Sequence, residues 1–352
     1  MKRVVTGILI SLLLASSSFC QYLTVSRSAN IKEKPIFEYQ TIIKVDQGQI
    51  LAFLDNGTQA NGYYHVLVPD KTKSGWIYRS LVRRSNDPLP KESTTLSINN
   101  VVSTDITWTS KIPENYYEGT ENLQGKDLKK ALHNLIKGHK EYPYTSNSTD
   151  VWDILKETDR DPNTNSNVVL IYSGHSTDAA QEYNNGQGWE KEHVWSQSHG
   201  QFGREKGPGT DVQHLRPVER EFNGPAGKGN KDFDDNGQEF IYNDDLTGCL
   251  VTDSTWAPIP KFRGDVARMM FYMDVRYEGD DGYPNLELID DYTMRKYKDK
   301  PVYGKLSTLL RWNQEDPVDN WERRRNDIIY EKYQGNRNPF IDHPEFVSRI
   351  WK

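Results

Sequence analysis

The chain is poor in cysteine: Cys20 and Cys249 are the only two in 352 residues. Histidine is scarce as well, with eight. No apolar run reaches the ~20 residues that a membrane-spanning helix needs. No internal repeat is visible. Positive charge is not in excess: 44 Lys and Arg stand against 50 Asp and Glu, a formal charge of −6. These absences argue against a spanning helix, a disulfide-built scaffold and a protein that coats nucleic acid over its whole surface. A local basic groove on an acidic body remains open. Aromatic residues are plentiful, with nine Trp, twenty Tyr and eleven Phe, which excludes bulk disorder and supplies a core. The length predicts two domains.

Met1 to Cys20 reads as a secretory signal. Lys2 and Arg3 precede the apolar run Val4 to Ala15, and Ser16, Ser17, Ser18, Phe19 and Cys20 follow. The run is too short to span and has the charge order of a leader. Cleavage after Cys20 is expected, with lipid modification of Cys20 as the alternative. The location is then secreted or otherwise extracytoplasmic: periplasm, cell surface or medium. Loss of Lys2 and Arg3 takes the formal charge from −6 to −8. One thiol, Cys249, remains, so no internal disulfide can form. Its blander reading is a buried small residue.

Residues 21–83 read as all-β. Leu23-Thr24-Val25-Ser26, Ile50 to Leu54, Tyr63 to Val68 and Trp76-Ile77-Tyr78 are strands. Turn signals separate them at Asp55-Asn56-Gly57, Asn61-Gly62 and Ser74-Gly75. Short strands with polar turns predict a small barrel. Leu23 to Ser28, Gly62 to Val66 and the closing Gly75-Trp76-Ile77-Tyr78 resemble a bacterial SH3-like domain. That resemblance implies binding to cell wall or a surface partner, not chemistry. Residues 84–96 are polar and Pro-containing, a linker.

Residues 97–352 form the second domain. Apolar spacing predicts helices over Asp127–Lys140, Asp265–Tyr277, Leu306–Trp312 and Trp321–Tyr333. A short helix after an Ser148 N-cap and a buried strand at Val168–Tyr172 are also expected. His133 and His139 are expected at the surface of a polar helix. Arg323-Arg324-Arg325 reads as a solvated helical face, with nucleic-acid contact as the sharper reading. Asp232, Asp234, Asn236 and Gly237 fit half of a calcium loop, but Asn243 stands where its Glu belongs, so a polar turn is expected.

Three of the eight histidines fall between Lys191 and Lys231, in a window short of large aliphatics and dense in Gly, Asn and Arg. Such composition suits a site more than a core; a solvated loop is the plainer reading. A neutral imidazole can take a proton from water. A carboxylate and an amide oxygen can hold a hard, hydrated cation such as Mg²⁺. The order is His193 on a first strand, a Gly-rich excursion, a second strand ending near His214, and a helix start carrying Asn223. That is a strand–strand–helix layout around one metal.

The motifs Lys191-Glu192-His193-Val194-Trp195, Gly207-Pro208-Gly209-Thr210-Asp211, His214-Leu215-Arg216-Pro217, Asn223-Gly224 and Gly229-Asn230-Lys231-Asp232-Phe233 together resemble the endonuclease I family of secreted nucleases. Gly264 to Met273 and Gly335 to Glu345 extend the likeness from about Tyr116 to Trp351. The resemblance implies a ββα-metal (His-Me finger) site. In it His193 is the general base, Glu192 and Asn223 ligate the metal, and His214 supports the site. Arg216 is the candidate phosphate clamp, with Arg204 or Arg268 as substitutes, and Asn230 a turn or supporting residue. The metal is Mg²⁺, with Ca²⁺ or Mn²⁺ as alternatives. The expected fold class is α+β, a small all-β SH3-like barrel followed by a helix-rich ββα-metal nuclease domain. The expected activity is largely sequence-non-specific hydrolysis of DNA, RNA or both, leaving 5′-phosphates. A basic groove of Arg216, Arg220, Lys228 and Lys231 should attract the substrate. The rival is a cell-wall-binding or peptidoglycan-acting protein with a structural His-rich window. It lacks support from motifs: His343 alone follows Cys249, and His-Glu-x-x-His is absent.

Overall fold

The computed structural model describes residues 22–85 and 108–351, apart from short stretches at 26–28, 36–39, 53, 55–58, 61–62, 69–72, 79–80, 163, 187, 243–244 and 291–299. The expected leader, the polar stretch 86–96 and the expected start of the second domain lie outside the described residues. The chain divides into two compact units, the first drawn from residues before Ser97 and the second dominated by Ser97–Lys352. The architecture is mixed α and β, built on small, mainly antiparallel sheets.

The first unit holds strands β1 (Tyr22–Val25), β2 (Ala29–Lys32), β3 (Thr41–Val45), β4 (Ile50–Ala52), β5 (Gln59–Ala60), β6 (Tyr63–Leu67), β7 (Ser74–Tyr78) and β8 (Val82–Ser85). They form a three-stranded sheet, β4-β1-β8, and a five-stranded sheet, β3-β2-β7-β6-β5. Among the described residues the ladders do not close into one barrel. Leu23, Val25, Ile31, Val45, Leu51, Val66 and Ile77 make the core, as the alternation predicts. Gly75 is needed by space: a Cβ there would stand 2.5 Å from Ile31 Cγ2 and 2.8 Å from the Lys32 carbonyl. Arg84 and Ser85 were expected at the onset of the linker. They instead continue β8, pairing with Leu23 and Tyr22.

The second unit packs around the helix α1 (Arg263–Arg276), which is buried on nearly every side. Three shifts from expectation have local causes. Asp150, not Ser148, caps the helix Val151–Thr158: its carboxylate accepts from Trp152 and Asp153 N–H in a capping box. The strand at Val168 ends at Val169, because the chain then turns at Leu170–His175. The last long helix runs Asn320–Ile328 and finishes in a π-turn, Ile329–Tyr333.

Burial overturns other expectations. His133 is buried, its ring between the Val275 carbonyl (2.9 Å) and Asp280 (2.9 Å). His139 is buried between Arg276 and Asp211. Arg325 is buried against Asp159 and the carbonyls of Val212 and Leu215, and Arg324 bonds the carbonyls of Glu157 and Thr158. These arginines bind the fold together and do not present a solvated or nucleic-acid-facing stripe. The half-calcium loop is a turn: Asp234 pairs with Lys305 and Thr308, and Asp235 with Arg263 and Arg311.

Candidate active site

The strand Glu190–His193 pairs antiparallel with Leu215–Val218, placing Glu192 opposite Arg216 and His193 opposite Leu215. A short helix, Arg220–Asn223, follows directly. The expected strand–strand–helix order is therefore present, but the second strand starts just after His214 instead of ending near it. A cleft of about 300 Å³ opens beside it, lined by Tyr144, Lys191, Glu192, His193, Arg204 and Asn223, with the Ser196–Ser198 segment and Gly229 at its edge. Glu192, His193 and Asn223 come together there.

His193 is 7% exposed. Its Nε2 lies 2.9 Å from the Gly209 carbonyl. A carbonyl can only accept, so Nε2 carries the proton and Nδ1 is left with a lone pair. Burial pushes the imidazole down to about 3, and the neighbouring His214 adds to this, while the Gly209 contact opposes it. The ring is neutral at physiological pH. It lies flat against Tyr144, with centroids 5.6 Å apart.

His214 does not touch the cleft. Its Nε2–H donates to the Pro208 carbonyl at 2.7 Å and its Nδ1 accepts from the Trp195 N–H at 3.3 Å. Both nitrogens are used, so it cannot trade protons with a substrate. It pins Pro208, and through it the Gly209 carbonyl that orients His193. Burial pushes it down to about 4, against the pull of Asp211.

Glu192 is buried, and both of its contacts fall on Oε1: the Tyr172 hydroxyl donates at 2.6 Å and Lys228 Nζ stands 3.5 Å away. Burial pushes the carboxyl up and the Lys228 ammonium down, and each partner's charge opposes this in the other. Asn223 spends its Nδ2–H on Glu190 at 3.2 Å, which leaves Oδ1 as an acceptor. One carboxylate oxygen and one amide oxygen beside an open cleft fit a hard cation that keeps most of its water. Among the described residues no three of His, Cys, Asp and Glu converge, so the donor set is not a closed zinc-type cage.

The arginine assignment is corrected. Arg216 is 0% exposed, with Nε bound to Asp159 at 2.5 Å, Nη1 3.7 Å from Asp265 and its guanidinium over the Trp321 ring. It cannot reach a phosphate. Arg268 is likewise locked to Glu322. Arg204 is the exposed guanidinium on the cleft, 5.0 Å from the Tyr144 ring. The expected basic groove contracts accordingly: Lys228 is buried on Glu192, and Lys231 bonds the carbonyls of Pro225 and Gly227. Arg220 stays exposed. Asn230 is exposed and does not line the cleft.

Two cleft residues escaped the sequence reading. Lys191 shares a strand face with His193, a period-two signal that could have found it. Its ammonium bonds the Tyr144 carbonyl and Thr145 and sits over the Tyr144 and Trp152 rings, and burial pushes it down to about 7. Tyr144 lies in an irregular stretch far upstream, and nothing local in the sequence marks it.

The model of the Endonuclease I family matches residues 124–345. The chain is 50% identical over 238 residues to the extracellular ribonuclease of Bacillus subtilis (strain 168), spanning 68% of this chain and 78% of that protein. It is 48% identical over 238 residues to the extracellular ribonuclease of Bacillus amyloliquefaciens, with the same coverage of 68% and 78%.

Proposed function

Because the chain belongs to the endonuclease I family, enzymes that hydrolyse phosphodiester bonds of nucleic acid, we propose that it is a secreted, metal-dependent endonuclease of low sequence specificity acting on RNA and DNA. The observation that carries this reading is the His193 tautomer. Nε2–H is committed to Gly209, so Nδ1 is free to take a proton from a water attacking phosphorus. Burial keeps the ring neutral and ready. Tyr144 and the Pro208–Gly209 segment hold it in place.

Glu192, through Oε2, and Asn223, through Oδ1, would hold Mg²⁺, with Ca²⁺ or Mn²⁺ as substitutes. When bound, such an ion neutralises charge on the phosphate and favours departure of the 3′ oxygen, which leaves a 5′-phosphate. Arg204 binds a phosphate oxygen at the open side of the cleft. Among the described residues no Arg, Asn or Gln ribbon fitted to base edges accompanies these groups, so contacts to the backbone dominate and affinity falls steeply with salt. RNA is favoured as a natural substrate by the names of the two Bacillus relatives, and export by the same names together with the leader-like residues 1–20. The N-terminal β unit is an SH3-like domain that binds cell wall or a surface partner.

A cysteine-peptidase role does not suit Cys249, which is 0% exposed, with its thiol turned to the Tyr172 carbonyl. Nicking of a supercoiled plasmid and degradation of a structureless RNA, each with Mg²⁺ and with EDTA, test the proposal. Mg²⁺-dependent cleavage of either, abolished by EDTA, is expected. Cleavage indifferent to EDTA would remove the metal from the mechanism.

A further inference from the structure

We infer that Tyr172 is a positioning residue that presets the Glu192 carboxylate for a divalent cation, an inference that rests on the metal reading above. Tyr172 has φ +80°, in the left-handed region that a bulky side chain avoids. It lies in the turn Leu170–His175, where the Gly174 N–H donates to the Leu170 carbonyl at 2.9 Å. Such a conformation in a non-glycine residue persists only where the surroundings impose it, and it gathers at functional sites.

The surroundings here are identifiable. The Tyr172 carbonyl accepts from the Ile259 N–H at 3.1 Å and from the Cys249 thiol at 3.2 Å. Its ring packs edge-on against Trp256, with centroids 5.8 Å apart. The preceding Ile171 N–H donates to the Pro217 carbonyl at 2.7 Å, which ties the turn to the strand paired with Glu192. The turn is thus fastened to the hairpin it serves, and the phenol arrives 2.6 Å from Glu192 Oε1.

The hydroxyl donates and the carboxylate accepts. With Lys228 on the same oxygen, Oε1 is engaged and Oε2 is the atom left for a cation. A carboxylate held at one oxygen has no rotation left to lose when the other binds metal. The buried Cys249, which no chemistry claims, acquires a part as the donor that holds the Tyr172 backbone.

Isothermal titration of Mg²⁺ into the full-length protein tests this, with near-ultraviolet circular dichroism as the folding control. Tyr172→Phe keeps the ring and removes the hydroxyl. Mg²⁺ affinity should fall roughly tenfold, the usual effect of losing a group that orients a ligand, and cleavage should recover as Mg²⁺ is raised. Glu192→Gln in the same titration separates the two claims. If Glu192→Gln weakens binding and folded Tyr172→Phe does not, the positioning role is overturned and the metal site stands. If the wild type binds no Mg²⁺, or Glu192→Gln binds as well as wild type, the metal reading fails and this inference with it. Should Tyr172→Phe not fold, Cys249→Ala supplies the test. It removes one of the two donors to the carbonyl, leaving the Ile259 N–H, does not touch the phenol, and should weaken Mg²⁺ binding by about threefold, one modest hydrogen bond's worth. Cys249→Ser, which restores a donor, should recover the affinity. Unchanged binding in Cys249→Ala would overturn the role.

Discussion

Strand Glu190–His193 and its partner Leu215–Val218 face each other residue for residue, and both carry charged side chains in buried surroundings. On the first, Lys191, Glu192 and His193 all line the cleft. On the second, Arg216 turns into the interior and is consumed by Asp159. The first strand is Glu-Lys-Glu-His and the second Leu-Arg-Pro-Val, and the buried charges they share are put to opposite uses. What separates them is supply of partners. Asp159 binds Arg216 Nε from outside the hairpin and Asp265 stands 3.7 Å from Nη1, whereas among the described residues no hydrogen bond is made to His193 Nδ1. A charged residue in an active-site motif can therefore serve as a structural ion pair, and a side chain becomes chemically available where the fold sets it on an open cleft with an atom to spare.

The sharpest break of the comparison is removal of the cleft base. His193→Ala should lower turnover by about 10²–10⁴-fold while Mg²⁺ affinity holds; single-turnover cleavage with a parallel Mg²⁺ titration checks both. Near-wild-type cleavage would defeat the assignment.

The partner strand should respond in stability. Arg216→Ala leaves Asp159 buried with one cation fewer and should cost roughly 3–5 kcal/mol in denaturant unfolding. Arg204→Ala, on the exposed side of the cleft, should change stability by within about 0.5 kcal/mol and reduce cleavage instead. A stable but inactive Arg216→Ala would restore the phosphate-clamp role to it and collapse the contrast between the strands.

Acid probes the histidine that acts only through others. The folded His214 sits at about 4 instead of the ordinary 6.5. Between those values the unfolded chain binds the proton more readily, so stability is complete above 6.5 and declines as pH falls. From pH 7 to pH 5 this imidazole alone should remove roughly 2 kcal/mol, at 1.36 kcal/mol per unit. Denaturant unfolding of wild type and His214→Gln at both pH values measures it. An equally steep decline in the variant would place the loss elsewhere.

The smallest effect is expected from deleting the first unit. Residues 97–352 carry every cleft residue and should retain Mg²⁺-dependent cleavage close to that of the full chain. A folded but inactive fragment would show that the N-terminal unit completes the site.

The sequence by itself determined the order of the motifs, and with it the strand–strand–helix layout that brings Glu192, His193 and Asn223 to one cleft. Those relations span few residues, and short-range periodicity, Gly turns and the Pro217 helix approach encode them locally. It also determined the β character of residues 22–82, through alternation around Leu23, Val66 and Ile77. Only the tertiary structure decided which cations are free. Arg216 and Arg325 both find Asp159, from 57 and 166 residues away, and Lys228 finds Glu192 across a loop. It also decided that His133 and His139 are buried, and that Tyr144 and Tyr172 reach the site from remote turns. The physical reason is common to all of these. A strand or helix follows from preferences of neighbouring residues, whereas a side chain's protonation, reach and partners depend on what distant segments bring against it, and no local pattern records that.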